Sequence, residues 1–116
     1  IISLHVPLTE ETKGMVNREF LSNCLRQPVL INTSRGKVVD TQALVYALEQ
    51  PTIRGACLDV FENEKPHSFT SEEDQLYSRL YALSNVILSP HIAGWTHESL
   101  YKIAEGLLSK VTKLDS

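Results

Sequence analysis

The sequence predicts an α/β fold built on a doubly wound parallel sheet, and three observations carry that expectation. The apolar pattern switches repeatedly along the 116 residues between short unbroken runs and helical spacing. The unbroken runs show little polar alternation, which marks strands buried on both faces. Each run is followed by a segment whose apolar residues fall at i, i+3, i+4, so strands and helices alternate four times. That alternation gives parallel strands joined by right-handed helical crossovers.

The first strand is Ile1 to Val6, ended by Pro7. After the polar stretch Thr9 to Lys13, Asn17 is placed to cap a helix whose apolar face is Phe20, Leu21, Cys24 and Leu25, closed by Pro28. Val29 to Asn32 is the second strand. Asp40 then caps a helix with Ala43, Leu44, Ala47 and Leu48 on one face, stopped near Pro51. Gly55 to Val60 is the third strand. A polar loop from Glu62 leads to a helix starting at Ser71, with Asp74 three residues on as an approximate capping box and Leu76, Tyr77, Leu80 and Tyr81 as its apolar face. Val86 to Ser89 is the fourth strand, broken by Pro90. The last helix starts near Thr96 or His97 and carries Leu100, Ile103, Ala104, Leu107, Leu108 and Val111 at helical spacing.

Composition narrows the function. A net charge of −3 lacks the basic face that a nucleic acid or an anionic membrane surface requires. No run approaches the ~20 apolar residues of a membrane-spanning helix. The two cysteines, Cys24 and Cys57, and the four histidines show neither C-x-x-C nor helical H-x-x-x-H spacing, so no metal site is expected. Each cysteine is expected to pack as a small hydrophobe. The only methionine is Met15 and position 1 is an apolar Ile, which predicts a segment that begins partway through a longer polypeptide.

In an open α/β sheet, ligands bind beyond the carboxyl ends of the strands. Those ends carry His5-Val6-Pro7, then Asn32-Thr33-Ser34-Arg35-Gly36, then Asp59 to Glu64, then Ser89 to Gly94. Taken singly, Arg35, Asp59, Glu62, Glu64 and His91 each have an ordinary structural role. Together they place a guanidinium, carboxylates and an imidazole along one edge. That set suits oxidation or reduction at a carbon next to a carboxylate. Arginine binds the carboxylate as a two-pronged fork. Histidine exchanges the alcohol proton near neutral pH, and a neighbouring carboxylate stabilises its charged form. The hydride must come from a cofactor, since no side chain supplies one.

The segments Ser3 to Thr9, Leu30 to Gly36, Gly55 to Phe61 and Ser89 to Gly94 resemble the D-isomer-specific 2-hydroxyacid dehydrogenases, in family order and at near-family spacing. The resemblance implies that the chain is the carboxyl-terminal part of a Rossmann-type NAD-binding domain. It implies that Arg35 binds the substrate carboxylate, that Glu64 is the carboxylate of the acid–base pair and that His91 is the proton donor and acceptor. It further implies cofactor contacts from His5, Val6 and Pro7 on the adenosine side. Thr33, Ser34, Arg35, Asp59, His91, Ala93 and Gly94 would lie near the nicotinamide and its ribose. By the same resemblance, the full-length protein is a cytoplasmic homodimer acting on a small 2-hydroxy or 2-oxo acid, of the 3-phosphoglycerate or glycerate/hydroxypyruvate kind. An NAD-responsive binding module of the co-repressor type is the alternative.

Two departures from the family pattern stand out. In many members the catalytic Glu directly precedes Pro, whereas here Lys65 separates Glu64 from Pro66. None of the five glycines forms the G-x-G turn that cradles a dinucleotide pyrophosphate. The expected organisation is therefore a partial NAD-binding domain over residues 1–96, lacking the Gly-rich half, and a terminal helix over 97–116 leading toward an absent substrate domain. Such a chain is expected to bind NAD weakly or not at all by itself.

Overall fold

Four parallel strands form one sheet in the order β1-β2-β3-β4: β1 Ile2–Leu4, β2 Val29–Asn32, β3 Gly55–Leu58 and β4 Val86–Leu88. The structure is a computed structural model and describes residues 1–114. Helices α1 Arg18–Ser22, α2 Thr41–Glu49 and α3 Ser71–Ala82 occupy the three crossovers, and α4 His97–Leu114 follows β4. The expected α/β class and all four strand–helix units are present. The helix expected over 97–116 is seen as far as Leu114, and positions 115–116 lie outside the described residues.

Expected caps hold at two helices and shift at a third. Asn17 accepts from the Phe20 amide and Asp40 from the Ala43 amide. At α3 the cap is Thr70 and its reciprocal partner is Glu73, one residue upstream of the Ser71 and Asp74 pair suggested by the sequence. Thr has the hydroxyl and Glu the longer reach that the reciprocal box needs. Helix α1 stops at Ser22, so Leu25 is not on its face and is exposed. Gln27, held at φ 44 before Pro28, cannot continue a right-handed helix.

The core lies between the sheet and α1–α3. Leu4, Leu30, Ala56 and Leu58 face Leu21, Ala43, Leu44, Ala47, Leu48, Tyr77 and Leu80. Tyr81, expected on the same face of α3, is instead more than half exposed. Val16 is fully buried and pairs with Val39 in an isolated parallel bridge, tying the loop after β1 to the loop after β2.

Only one face of the sheet is covered by the described residues. Ser3, Ile31, Cys57 and Ile87 stand side by side in register on the other face, and Ile87 is 70% exposed. The expectation of helices on both faces is thus met on one. Consecutive strand order with crossovers of a single hand puts every crossover on the same side.

Candidate functional site

The carboxyl edge of the sheet is built by three loops that hold one another. After β2, Asn32 is buried, and its side-chain oxygen accepts from the Ser34 amide at 3.0 Å and hydroxyl at 2.8 Å. Its Nδ2 donates to the Arg35 carbonyl at 3.1 Å. One asparagine therefore sets the curve of the Thr33–Arg35 loop. A side chain at Gly36 would collide with the Phe61 carbonyl, so glycine lets the loops after β2 and β3 touch backbone to backbone.

After β3, Asp59 is 4% exposed and both its carboxylate oxygens are engaged. Oδ1 accepts from Ser89 Oγ at 2.6 Å and the Ile92 amide at 2.9 Å, and Oδ2 accepts from the Ala93 amide at 3.0 Å. Its carbonyl accepts from the His91 amide at 2.8 Å. Burial alone pushes the Asp59 carboxyl up, but the hydrogen bonds from Ser89, Ala93 and Ile92, with the nearby His91, outweigh it and hold it below the ordinary aspartate value. This carboxylate therefore clamps the loop after β4. That loop carries His91 at φ 57, a left-handed conformation that a non-glycine residue keeps only when its surroundings enforce it.

Held there, His91 meets Glu64. The distance from Nδ1 to Glu64 Oε2 is 2.9 Å, and an ionised carboxylate can only accept, so Nδ1 is the donor. The other carboxylate oxygen of Glu64 accepts from the Phe61 amide at 3.3 Å. With Nδ1 occupied, Nε2 is the nitrogen left to exchange a proton with a ligand. Glu62 does not share this contact: its Oε1 accepts from the Thr41 amide at the start of α2, at 2.5 Å.

The remaining sequence-predicted residues lie on the same edge with different engagements. Arg35 is exposed, donates to the Ser34 carbonyl at 2.7 Å and makes no ion pair among the described residues. Its fork remains free for a carboxylate, though the structure does not bring it into contact with the Glu64–His91 pair. His5 is exposed and hydrogen-bonds back to Ser3 Oγ at 2.8 Å, Val6 packs against the core, and the Pro7 carbonyl accepts from Thr12 Oγ1. Thr33, Ala93 and Gly94 are exposed, and Gly94 has open space where a side chain would stand. Sequence reasoning did not assign Asn32 a role in the site. A buried-strand pattern ending in a polar amide was the available signal.

These groups fit one end of a nicotinamide dinucleotide. Small, exposed loop residues flank an imidazole, and loop backbone lies open beside it. Nothing in the sequence supplies the glycine turn for the pyrophosphate. Among the described residues no His/Cys/Asp/Glu group could hold a metal ion, and no helix is long and apolar enough to cross a membrane.

Comparison with known proteins identifies the family to which this fold belongs. The family model described as D-isomer specific 2-hydroxyacid dehydrogenase, NAD binding domain, matches residues 1–93. A glyoxylate reductase from Thermococcus litoralis is 49% identical over 104 residues, covering 90% of this chain and 29% of that protein. The NAD-complexed D-isomer specific 2-hydroxyacid dehydrogenase of Lactobacillus delbrueckii ssp. bulgaricus superposes with a TM-score of 0.83 at 32% identity, over 97% of this chain and 36% of that one. A D-lactate dehydrogenase from Aquifex aeolicus, complexed with NAD and lactic acid, gives 0.78 at 40% identity, again over 97% and 36%. The chain thus spans about a third of the length of the relatives it matches. It belongs to the D-isomer specific 2-hydroxyacid dehydrogenase family, within that family's NAD-binding domain.

Proposed function

We propose that this chain supplies the proton-transfer and carboxylate-binding groups of an oxidoreductase that interconverts a small 2-oxo acid and its D-2-hydroxy acid. The observation that carries the reading is the 2.9 Å contact between His91 and Glu64, held at the carboxyl edge of an NAD-binding domain by a buried aspartate clamp. When bound, NADH supplies the hydride. His91 gives its Nε2 proton to the substrate carbonyl oxygen as that oxygen becomes a hydroxyl, and takes it back in the oxidation direction. Glu64 accepts from Nδ1 and so fixes the ring, leaving Nε2 for the transfer. Arg35 offers a planar pair of donors to the substrate carboxylate.

Of the two substrate kinds the resemblance implies, 3-phosphoglycerate and glycerate/hydroxypyruvate, the names of similar proteins support the smaller. Similar proteins include glyoxylate reductases, a glyoxylate/hydroxypyruvate reductase and a D-lactate dehydrogenase. We therefore favour glyoxylate or hydroxypyruvate. The full-length form is proposed to be a homodimer, with residues 1–96 in the cofactor domain and the helix from residue 97 bridging to a substrate domain. The test is NADH consumption by a complete polypeptide bearing this segment, offered glyoxylate, hydroxypyruvate, pyruvate and 3-phosphohydroxypyruvate in turn. Turnover of the first two supports the reading. Failure on all four, with NAD still bound, rejects it.

A further inference from the structure

We propose that Asn63 is a positioning residue for the acid–base pair: its side chain closes a turn around Glu64 and fixes that turn to α3, so that Glu64 is set against His91 before any ligand arrives. The proposal rests on reading Glu64 and His91 as the proton-transfer pair.

Besides the pair, the Glu64 carboxylate has the long 3.3 Å hydrogen bond from the Phe61 amide, and neither contact fixes the backbone that carries it. Glu64 lies on an exposed loop, and the two paired side chains are 49% and 39% exposed. An ion pair in that setting is screened by solvent and does no more than offset the entropy of ordering a glutamate side chain. No proline ring helps, because Lys65 follows Glu64.

Asn63 supplies a restraint through its backbone amide and both ends of its side-chain amide. Its Oδ1 accepts from the Lys65 amide at 3.0 Å, an Asx-turn with Glu64 at its centre. A proline at position 65 would lack that donor. The backbone amide of Asn63 donates to Tyr77 Oη at 3.1 Å, and Nδ2 reaches the Glu73 carboxylate at 3.3 and 3.4 Å and Ser68 Oγ at 3.3 Å. Ser68 in turn donates to the Lys65 carbonyl at 2.8 Å, which closes the loop on itself.

The base under this turn is rigid. Glu73 is already fixed as the reciprocal cap of α3, with Oε2 accepting from the Thr70 amide at 2.9 Å. Tyr77 is buried, stacked on Phe69 with centroids 4.5 Å apart and met edge-on by Phe61. Burial pushes its phenol up, so it stays neutral and available as a hydrogen-bonding partner. The chain of restraint therefore runs from α3 through Asn63 to Glu64 and ends at His91.

The test uses a complete polypeptide bearing this segment, labelled with ¹⁵N, reading the His91 ring nitrogens by long-range proton–nitrogen correlation. These signals report which nitrogen carries the proton, which a purely structural role for Asn63 would not move. Glu64→Ala removes the partner and defines the full displacement toward a free imidazole. Asn63→Ala is expected to give at least about half of it, with the far-UV circular dichroism unchanged. Asn63→Asp keeps the acceptor for the Lys65 amide and is expected to give clearly less than Asn63→Ala. If Asn63→Ala loses its fold, Asn63→Leu, of similar size and without the acceptor or the donor, carries the test, a displacement from wild type supporting the proposal and wild-type signals overturning it. Wild-type signals in Asn63→Ala alongside a displaced Glu64→Ala overturn the positioning role and leave the pair intact. Equal displacement in Asn63→Ala and Asn63→Asp overturns the turn-closing role. No displacement in Glu64→Ala overturns the pair itself, and the proposal with it.

Discussion

The carboxyl edge of the sheet and helix α4 differ in burial: the edge packs polar side chains inside the fold, and α4 buries none of its residues. At the edge, Asn32 and Asp59 are buried and fully hydrogen-bonded, and three loops lock together around them. Helix α4 is the longest in the chain at 18 residues and has no buried residue, although its apolar stripe is the most regular in the sequence. Together with the open sheet face, it gives the chain an accessible surface of 8312 Å², against about 6,300 Å² for a compact monomer of this length. Its radius of gyration is 17.3 Å where about 13 Å is usual. Amphipathic periodicity is enough to make a helix. It does not by itself say what the helix packs on.

The sharpest way to break this contrast is at the edge. His91→Ala in the complete polypeptide should lower kcat by about 10²- to 10⁴-fold, measured as NADH consumption at saturating substrate. An unchanged kcat would make the edge a structural knot and nothing more.

The same substitution placed in both regions measures the difference directly. Leu30→Ala, in a site 1% exposed, should cost about 2–5 kcal/mol in urea unfolding. Leu107→Ala, on α4 and 60% exposed, should stay within about 0.5 kcal/mol. Similar values at both sites would mean that α4 is docked in solution.

Asp59 gives the edge a pH signature. Its pKa is depressed in the folded state, so its contribution is complete above the ordinary value of 3.8 and is lost as pH falls through the lower folded value. The Ile92 and Ala93 amides should keep their wild-type NMR shifts down to that ordinary value and move only below it. Asp59→Asn should move them at every pH and cost about 1–3 kcal/mol. The smallest effect belongs to α4: deleting residues 97–116 should remove helical circular dichroism while shifting Tm by no more than about 3 °C.

Much of this molecule is legible from pattern. Runs such as Val29 to Asn32 and Val86 to Leu88 are strands because unbroken apolar segments of that length bury themselves as strands. Asking what stands at consecutive strand ends puts an imidazole beside a group of carboxylates, and only the family resemblance singles out Glu64 among them. What was not legible is hydrogen bonding between polar side chains in loops. Asn63 is an unremarkable loop asparagine until Tyr77 and Glu73 arrive from a helix ten and more residues away. Val16 reads as a lone valine in a polar stretch, and only its pairing with Val39 makes it core. The Thr70 and Glu73 capping box was present in the sequence, one position from the weaker Ser71 and Asp74 match. Leu25 fails for the opposite reason, since helical spacing was extended through a turn that Pro28 forbids.

The order β1-β2-β3-β4 has a consequence for how the chain assembles. Each strand joins the free margin of the one just before it in sequence, so no strand has to wedge between two partners already paired. Every addition closes a loop of comparable length, and growth can proceed in the direction of synthesis. The groups at positions 35, 64 and 91 arrive in that order, one with each newly added strand. The Glu64–His91 contact therefore needs β3 and β4 in place, and its presence reports that these two strands have been joined.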